Sequence, residues 1–313
     1  MLLNKIGKFT LLVAVIILSS FTESNSVKIN FESQENGRAI VLDPFNSEFN
    51  SLSLDVYEMY MRSIIYNLER AGYTVDYYKD ENVTINLLKR LDDEGYSIIY
   101  INSHGFIDPQ GFYGLFINEK IDTEKANLYQ SDLEEKSIRC LEDGSLAGYL
   151  YVTPQFFSLY GNNSLSPDAL IFIDACHSGN NTSLAEVFLN LGAQCFIGWN
   201  GPVNVIHGIM MDGKFFHEAC KYNKTVEQAL RGTRADPDSG ATLTYFGNGT
   251  LRILRVAQIL DEDRIPFDTI LKITVASIFS AGIIYAGIRV FLSRKSRLTL
   301  RGKVASRPLR FCS

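Results

Sequence analysis

The sequence is poor in cysteine, proline and tryptophan. Among 313 residues there are 5 cysteines, 8 prolines and 1 tryptophan, with no internal repeat or low-complexity segment. This composition excludes disulfide-dense, collagen-like and disordered classes. The chain also has no excess of positive charge, since 30 basic and 35 acidic residues give a net charge of −5. That balance argues against a nucleic-acid-binding protein.

Acidic residues are absent from the end of the chain. The segment from Arg289 to Ser313 contains eight basic residues and no acid. When these and Lys5, Lys8 and Glu23 are set aside, the sequence between them holds 20 basic and 34 acidic residues, a net charge near −14. Such asymmetry predicts a membrane-associated chain with an acidic body.

The N-terminus has the layout of a secretory signal peptide, which we place at 1–26. Lys5 and Lys8 precede the apolar run from Phe9 to Leu18, and small and polar residues follow through Ser26. The apolar run is too short to span a bilayer comfortably. An uncleaved anchor or a buried strand is the alternative interpretation.

A second apolar segment, 267–292, is long enough to cross a bilayer as a single helix, with Lys272 and Arg289 near its ends. The basic tail 293–313 should remain in the cytoplasm by the positive-inside rule, which places residues 27–262 outside the cell or in a secretory lumen. A buried amphipathic helix is the alternative. The body also contains six N-x-Ser/Thr sequons, typical of an exported, glycosylated face: Asn82, Asn162, Asn180, Asn181, Asn223 and Asn248.

Strand and helix patterns alternate in the body, which predicts an α/β domain with a mostly parallel central sheet and helices on both faces. The stretch from Gly105 to Leu165 breaks this alternation and shows one short extended piece before a charged segment from Gln130 to Ser145. Strands are predicted at Gly37–Asp43, Tyr73–Tyr78, Tyr96–Asn102, Ala169–Ala175, Ala193–Trp199 and either Thr242–Phe246 or Leu251–Leu254; helices at Leu54–Ala71, Val83–Leu91, Pro154–Tyr160, Leu184–Leu191, Met210–Lys221 and Thr225–Arg231.

Two of these strands run into residues with catalytic chemistry. Tyr96–Asn102 leads into Ser103, His104 and Gly105, and Ala169–Ala175 leads into Cys176. In open α/β sheets the loops beyond the strands' carboxyl ends build the site, so His104 and Cys176 are expected at one cleft. A cysteine nucleophile reacts as the thiolate and needs a proton donor for the leaving group. A histidine can fill both roles, first by accepting the thiol proton and then by donating it to the leaving group. The amides of Gly105 and Cys176 are candidate oxyanion donors.

A metal site is the competing chemistry, because His104, Asp174, Cys176 and His177 are all ligand types. No second ligand pair with the usual spacing exists, so we expect no metal or other cofactor; calcium activation stays open, although no acidic cluster establishes it. Disulfide pairing of Cys140 with Cys220 stays open as well.

The segments Ser103–Gly105 and Ile171–Gly179 (IFIDACHSG) resemble the caspase-fold cysteine peptidases, a clan that includes metacaspases, legumain, gingipains and separase. The Asp-x-Cys-His-Ser-Gly form is closest to metacaspases. Leu184–Trp199 and Thr225–Leu230 are similar to gingipain-like and CHAT-type members, so the resemblance covers roughly residues 37–255. It implies a caspase-like three-layer sandwich.

The resemblance also implies site roles. Cys176 would attack the scissile carbonyl, and His104 would handle the proton of the leaving amine. Asp174 matches an acidic residue that, in metacaspases and legumain, lines the pocket for the substrate residue preceding the cleaved bond. A negative charge in that pocket would favour Arg or Lys at this substrate position. Trp199 is a candidate wall of the same pocket. No long linker follows Cys176, so activating cleavage would fall in Gln130–Ser145 or in the N-terminal segment.

Three functions follow. The first is a single-pass, membrane-anchored cysteine endopeptidase that acts on protein or peptide substrates through a thioester acyl-enzyme. The second is a transamidase of the same fold, which resolves the thioester with an amine and attaches proteins to an anchor. The third is a non-catalytic surface binding module, against which the intact Cys-His pair weighs.

Overall fold

The computed structural model describes residues 37–52, 55–92, 94–108, 111–162, 165–180 and 182–254. The predicted signal peptide, the predicted membrane helix at 267–292 and the basic tail lie outside these residues. Within the described ranges, no helix combines the length and the apolar character needed to cross a membrane.

A six-stranded sheet forms the centre of the molecule, with strand order β10-β9-β8-β3-β1-β2. All neighbouring strands run parallel except the edge strand β10, which is antiparallel to β9. The strands are β1 (Gly37–Asp43), β2 (Tyr73–Lys79), β3 (Tyr96–Asn102), β8 (Leu170–Asp174), β9 (Cys195–Trp199) and β10 (Leu243–Gly247).

Both faces of this sheet are buried. In β1, Ala39 and Val41 join one hydrophobic cluster while Ile40 and Leu42 join the other, because successive strand residues point to opposite faces. The α-helices of the described residues are α1 (Asn46–Ser51), α2 (Val56–Arg70), α3 (Ile85–Leu88), α4 (Thr123–Leu128), α5 (Gln130–Glu134), α6 (Pro154–Tyr160), α7 (Thr182–Asn190), α8 (Val205–Phe216) and α9 (Val226–Leu230). The predicted mixed α/β architecture with a mostly parallel central sheet is confirmed.

A second, four-stranded antiparallel sheet occupies the stretch that broke the sequence pattern. Its order is β4-β5-β7-β6, and its strands are β4 (Gly105–Ile107), β5 (Tyr113–Lys120), β6 (Ile138–Cys140) and β7 (Tyr149–Val152). Only the piece at β5 was expected. The others were missed because β4 and β6 have three residues each and β7 has four, too few to show the period-two alternation of a strand clearly. The segment 130–145, expected to be charged and exposed, therefore contributes helix α5 and strand β6 to the fold.

The described residues answer two further questions that the sequence left open. The last strand is at Leu243–Gly247, as the first of the two alternatives had it. Cys140 and Cys220 are free thiols, so they do not form the disulfide left open above.

Candidate active site

The ends of β3 and β8 bring the two predicted site residues to one edge of the sheet. The strands pair in parallel with Asn102 opposite Asp174, and the Ser103 amide donates to the Asp174 carbonyl at 2.9 Å. His104 and Cys176 each follow two residues after this pair. The chain then enters β4, where the backbone of Gly105 lies against the Cys176 carbonyl. The two loops are therefore in direct contact.

Cys176 lies in a tight turn, in which the Ser178 amide donates to the Ala175 carbonyl at 3.2 Å. His177 has a left-handed backbone conformation, with φ +63°, which is uncommon for residues other than glycine. Its amide donates to the Gly201 carbonyl at 2.9 Å. His177, which the sequence left without a role, thus shapes the turn that presents Cys176.

Ser178 and Gly179 fasten this turn to the sheet. The Ser178 hydroxyl donates to the Ile173 carbonyl at 2.7 Å and accepts from the Trp199 amide at 2.9 Å. A Cβ on Gly179 would lie 2.7 Å from the Gly198 carbonyl oxygen, so only glycine allows the close approach. The His-Ser-Gly part of the sequence pattern is explained by turn geometry and strand contact.

The Cys176 thiol is half-buried and held by one residue of the loop after β9. The Val203 amide donates to Sγ at 3.3 Å, and the thiol lies 3.6 Å from the Val203 carbonyl. Burial raises the pKa of Cys176, the Val203 backbone opposes this, and the negative charges of Asp174 and Asp236 add to the rise. The thiolate therefore needs further stabilisation to form near neutral pH.

His104 is held by three residues around α1 that the sequence did not single out. Its Nε2 lies 3.1 Å from Glu48 Oε1, and its ring makes edge contacts with Phe45 and Phe49 at centroid distances of 4.8 and 4.9 Å. The spacing Phe45, Glu48, Phe49 is the one-face spacing of a helix. That spacing was the available signal, but nothing local linked it to His104.

The two residues predicted to supply oxyanion donors, Gly105 and Cys176, lie next to each other through their backbones. The Cys176 amide donates to no backbone carbonyl within the described ranges. A Cβ on Gly105 would lie 2.6 Å from the Cys176 carbonyl oxygen, which explains the glycine. Their role as donors stays a prediction.

Asp174 does not line a cleft in this structure. It is 4% exposed, and its carboxylate accepts from Trp199 Nε1 at 2.7 Å and Asn102 Nδ2 at 2.8 Å. It also faces Asp212, whose Oδ1 has no donor among the described residues. Burial raises the pKa of both carboxyl groups, so we infer that they share a proton. The geometry therefore gives no support to Asp174 as a contact for basic substrate residues.

Trp199 is likewise interior. Its side chain is fully buried, and its indole ring donates to Asp174 rather than facing solvent. The expectation that Trp199 walls a substrate pocket gains no support; the ring fills the core at the end of β9 and fixes the Asp174 carboxylate. Among the described residues, no group of three or more His, Cys, Asp and Glu side chains is arranged to hold a metal ion.

No protein-family model and no curated protein matches the chain. Solved structures do match, among them the Drosophila initiator caspase Dronc. That likeness covers 69% of this chain and 81% of the Dronc chain, with 13% sequence identity and a TM-score of 0.41. Similarity at this level assigns neither a fold family nor an activity.

Proposed function

We propose that this chain is a cysteine peptidase of caspase-like fold in which Cys176 and His104 form the catalytic dyad. The observation that carries the proposal is the meeting of the two loops at the carboxyl ends of β3 and β8, where Gly105 abuts the Cys176 carbonyl. A strand-end cysteine or histidine alone is common. Here each side chain is also held by its own partner, Val203 for Cys176 and Glu48 for His104.

The proposed reaction begins with transfer of the Cys176 thiol proton to His104. The thiolate sulfur then forms a bond to the substrate carbonyl carbon, and the amides of Gly105 and Cys176 donate to the resulting oxyanion. As the carbon–nitrogen bond breaks, His104 gives its proton to the leaving amine. Water, deprotonated by His104, then breaks the carbon–sulfur bond of the thioester and releases an acid. Because Glu48 engages Nε2, Nδ1 is the nitrogen assigned to these transfers.

The dyad is tested on the full-length protein with a peptide library and a thiol-directed substrate mimic. Cys176→Ala and His104→Ala should each abolish turnover, and Cys176→Ala should also abolish labelling. Cys195→Ala is the matched control, because Cys195 is a buried core thiol in β9. If both site variants match the parent in turnover, the proposal is wrong. Products joined to an added amine in place of free acids would assign transamidation instead of hydrolysis.

The proposal has two further parts that rest on the sequence. The protein is anchored by a helix at 267–292 with residues 27–262 exported, and it acts on protein or peptide substrates. Preference for a basic residue before the cut would have to come from a group other than Asp174 as it stands in the structure. The same peptide library measures that preference directly.

A further inference from the structure

A buried hydroxyl without a partner lies beside the proposed dyad. Tyr113 is the first residue of β5, it is 1% exposed, and its Oη has no hydrogen-bond partner in the described part of the chain. Buried polar groups in folded proteins are nearly always paired, because an unpaired one is destabilising. A native chain that keeps such a group at a reaction site calls for a role for it.

The Tyr113 hydroxyl lies next to Gly105, the same glycine whose backbone contacts the Cys176 loop. A Cβ on Gly105 would lie 2.4 Å from Tyr113 Oη, 2.6 Å from the Cys176 carbonyl oxygen and 3.0 Å from the Ala175 Cβ. Tyr113 Oη therefore lies directly against the backbone that carries both loops. Because any side chain at position 105 would clash with both groups, the glycine allows the Tyr113 hydroxyl to lie this close to Cys176.

Electrostatics connect the hydroxyl with Cys176. Burial raises the pKa of Tyr113 well above its ordinary value, and negative charge on Cys176 and Asp174 raises it further. The phenol therefore remains protonated and is able to donate a hydrogen bond. The charged groups that act on Cys176 are Asp174, the last residue of the preceding strand β8, and Asp236, in the loop before β10; both oppose the thiolate. His104 lies in the neighbouring loop, two residues after the end of β3, and the Val203 amide is the donor already in place.

We propose that Tyr113 is a positioning residue whose hydroxyl stabilises negative charge on Cys176. The inference rests on the proposed function, because it assigns Tyr113 a part in forming the nucleophile. The donor is left unpaired in the resting thiol state and gains a favourable interaction when the thiolate forms. Such an arrangement stabilises the reactive state more than the resting state.

The test measures thiolate formation rather than peptide cleavage. Full-length protein is alkylated with iodoacetamide at a series of pH values, and modification of the Cys176 peptide is quantified by mass spectrometry. Tyr113→Phe should raise the pH midpoint of alkylation by about 0.5 to 1 unit without lowering the melting temperature, because the ring stays and the unpaired hydroxyl goes. Tyr129→Phe is the matched control: its hydroxyl is paired with Glu119, and the midpoint should not move.

A second variant keeps the outcome decisive if Tyr113→Phe folds poorly. A fluorotyrosine at position 113 is a stronger donor of the same shape and should lower the midpoint. An unchanged midpoint in a folded Tyr113→Phe protein, or one unchanged by the fluorotyrosine, overturns the inference. Failure of the dyad itself has a separate signature: His104→Ala would leave the Cys176 alkylation profile of the otherwise native chain unchanged.

Discussion

At the scale of single residues, the position of His104 is set by a short helix distant in sequence. Glu48 is 56 residues away along the chain. Phe45, which directly precedes α1, and Phe49 within it limit how the imidazole ring can turn. Asn46, at the start of this helix, donates to the buried Asp43 carboxylate at 2.8 Å. The end of β1 thus positions the histidine at the end of β3.

Glu48→Gln should lower kcat about 10-fold with little change in KM, because the amide still accepts from the ring but no longer stabilises the imidazolium. The loss should be far smaller than the ~10⁴-fold seen for the buried aspartate of serine proteases, since the Glu48 side chain is 47% exposed and its charge is screened by solvent. The measurement is steady-state turnover of the best library peptide.

The control for this change is Glu58→Gln, which removes a glutamate paired with Arg62 on the surface of α2. It should leave kcat unchanged. Equal effects of the two substitutions would show that Glu48 acts through general surface charge and not through His104.

At the scale of elements, α8 docks on the central sheet through a buried acid pair. Asp212 of α8 faces Asp174 at the end of β8 and accepts from the Tyr100 hydroxyl at 2.7 Å. The folded chain keeps a proton here that the unfolded chain releases at the ordinary carboxyl pKa. Stability from this pair is therefore fully present at low pH and is lost as pH rises, from about pH 4 through the raised pKa of the folded state.

Asp212→Asn should flatten this decline and raise the melting temperature near pH 8. The asparagine oxygen still accepts from Tyr100, and its amide donates to Asp174 without uptake of a proton. The measurement is the melting temperature across the pH range. A slope equal to that of the parent would contradict the shared proton.

The matched control is Asp132→Asn. Burial opposes ionisation of Asp132, but the hydrogen bonds from Lys89 and Tyr160 outweigh it and lower its pKa. Stability from Asp132 is therefore present at neutral pH and lost as pH falls through the folded-state pKa, the opposite sign. Its substitution should destabilise the protein at neutral pH.

The same docking depends on Gly208, where a Cβ would lie 2.9 and 3.0 Å from the two Asp174 carboxylate oxygens. Because Trp199 and Asn102 fix that carboxylate, it cannot move away. Gly208→Ala should therefore destabilise the protein by about 1–3 kcal/mol despite the better helix propensity of alanine. The free energy of unfolding in denaturant measures this.

Gly213→Ala is the matched control on the same helix. Its Cβ would lie 2.9 Å from one ring carbon of Tyr60, with the next nearest atoms at 3.8 Å, and a half-buried tyrosine ring can turn aside. We expect a change within about 0.5 kcal/mol. A loss equal to that of Gly208→Ala would show that the acid pair does not set the docking distance.

Sequence patterns located the central elements well and the supporting contacts poorly. β1 and β3 were predicted at their observed bounds, since both are continuous apolar runs between turn residues. The parallel pairing of β3 with β8 sets the edge at which His104 and Cys176 meet. The Glu48 contact and the orientation of Asp174 depend on side chains far apart in sequence, which local periodicity does not encode.

At the scale of the whole molecule, the sequence divides into an acidic body and a basic tail separated by an apolar segment. A body with excess negative charge attracts basic partners over long distances. That attraction requires no specific pocket, so it is compatible with the interior position of Asp174. Salt should weaken it within the range set by the Debye length.

The same asymmetry makes topology testable through the sequons. Four sequon asparagines lie exposed on the described surface: Asn82, Asn162, Asn180 and Asn248. If the body is exported through a secretory pathway that glycosylates asparagine, endoglycosidase treatment should increase the gel mobility of the protein, and replacing these asparagines with glutamine should remove most of that shift. Loss of modification in the fourfold variant, with retained folding, would map the glycans to this surface.

The orientation of the chain across the membrane can be tested at its C-terminus. A tag after Ser313 should resist protease added outside intact cells while the body is digested, because the basic tail is expected on the cytoplasmic side. Replacing the tail's basic residues with glutamine removes the charge that orients the segment and should yield a mixed population. A tag digested from outside in the unaltered protein would reverse the proposed orientation and place the Cys176–His104 site in the cytosol.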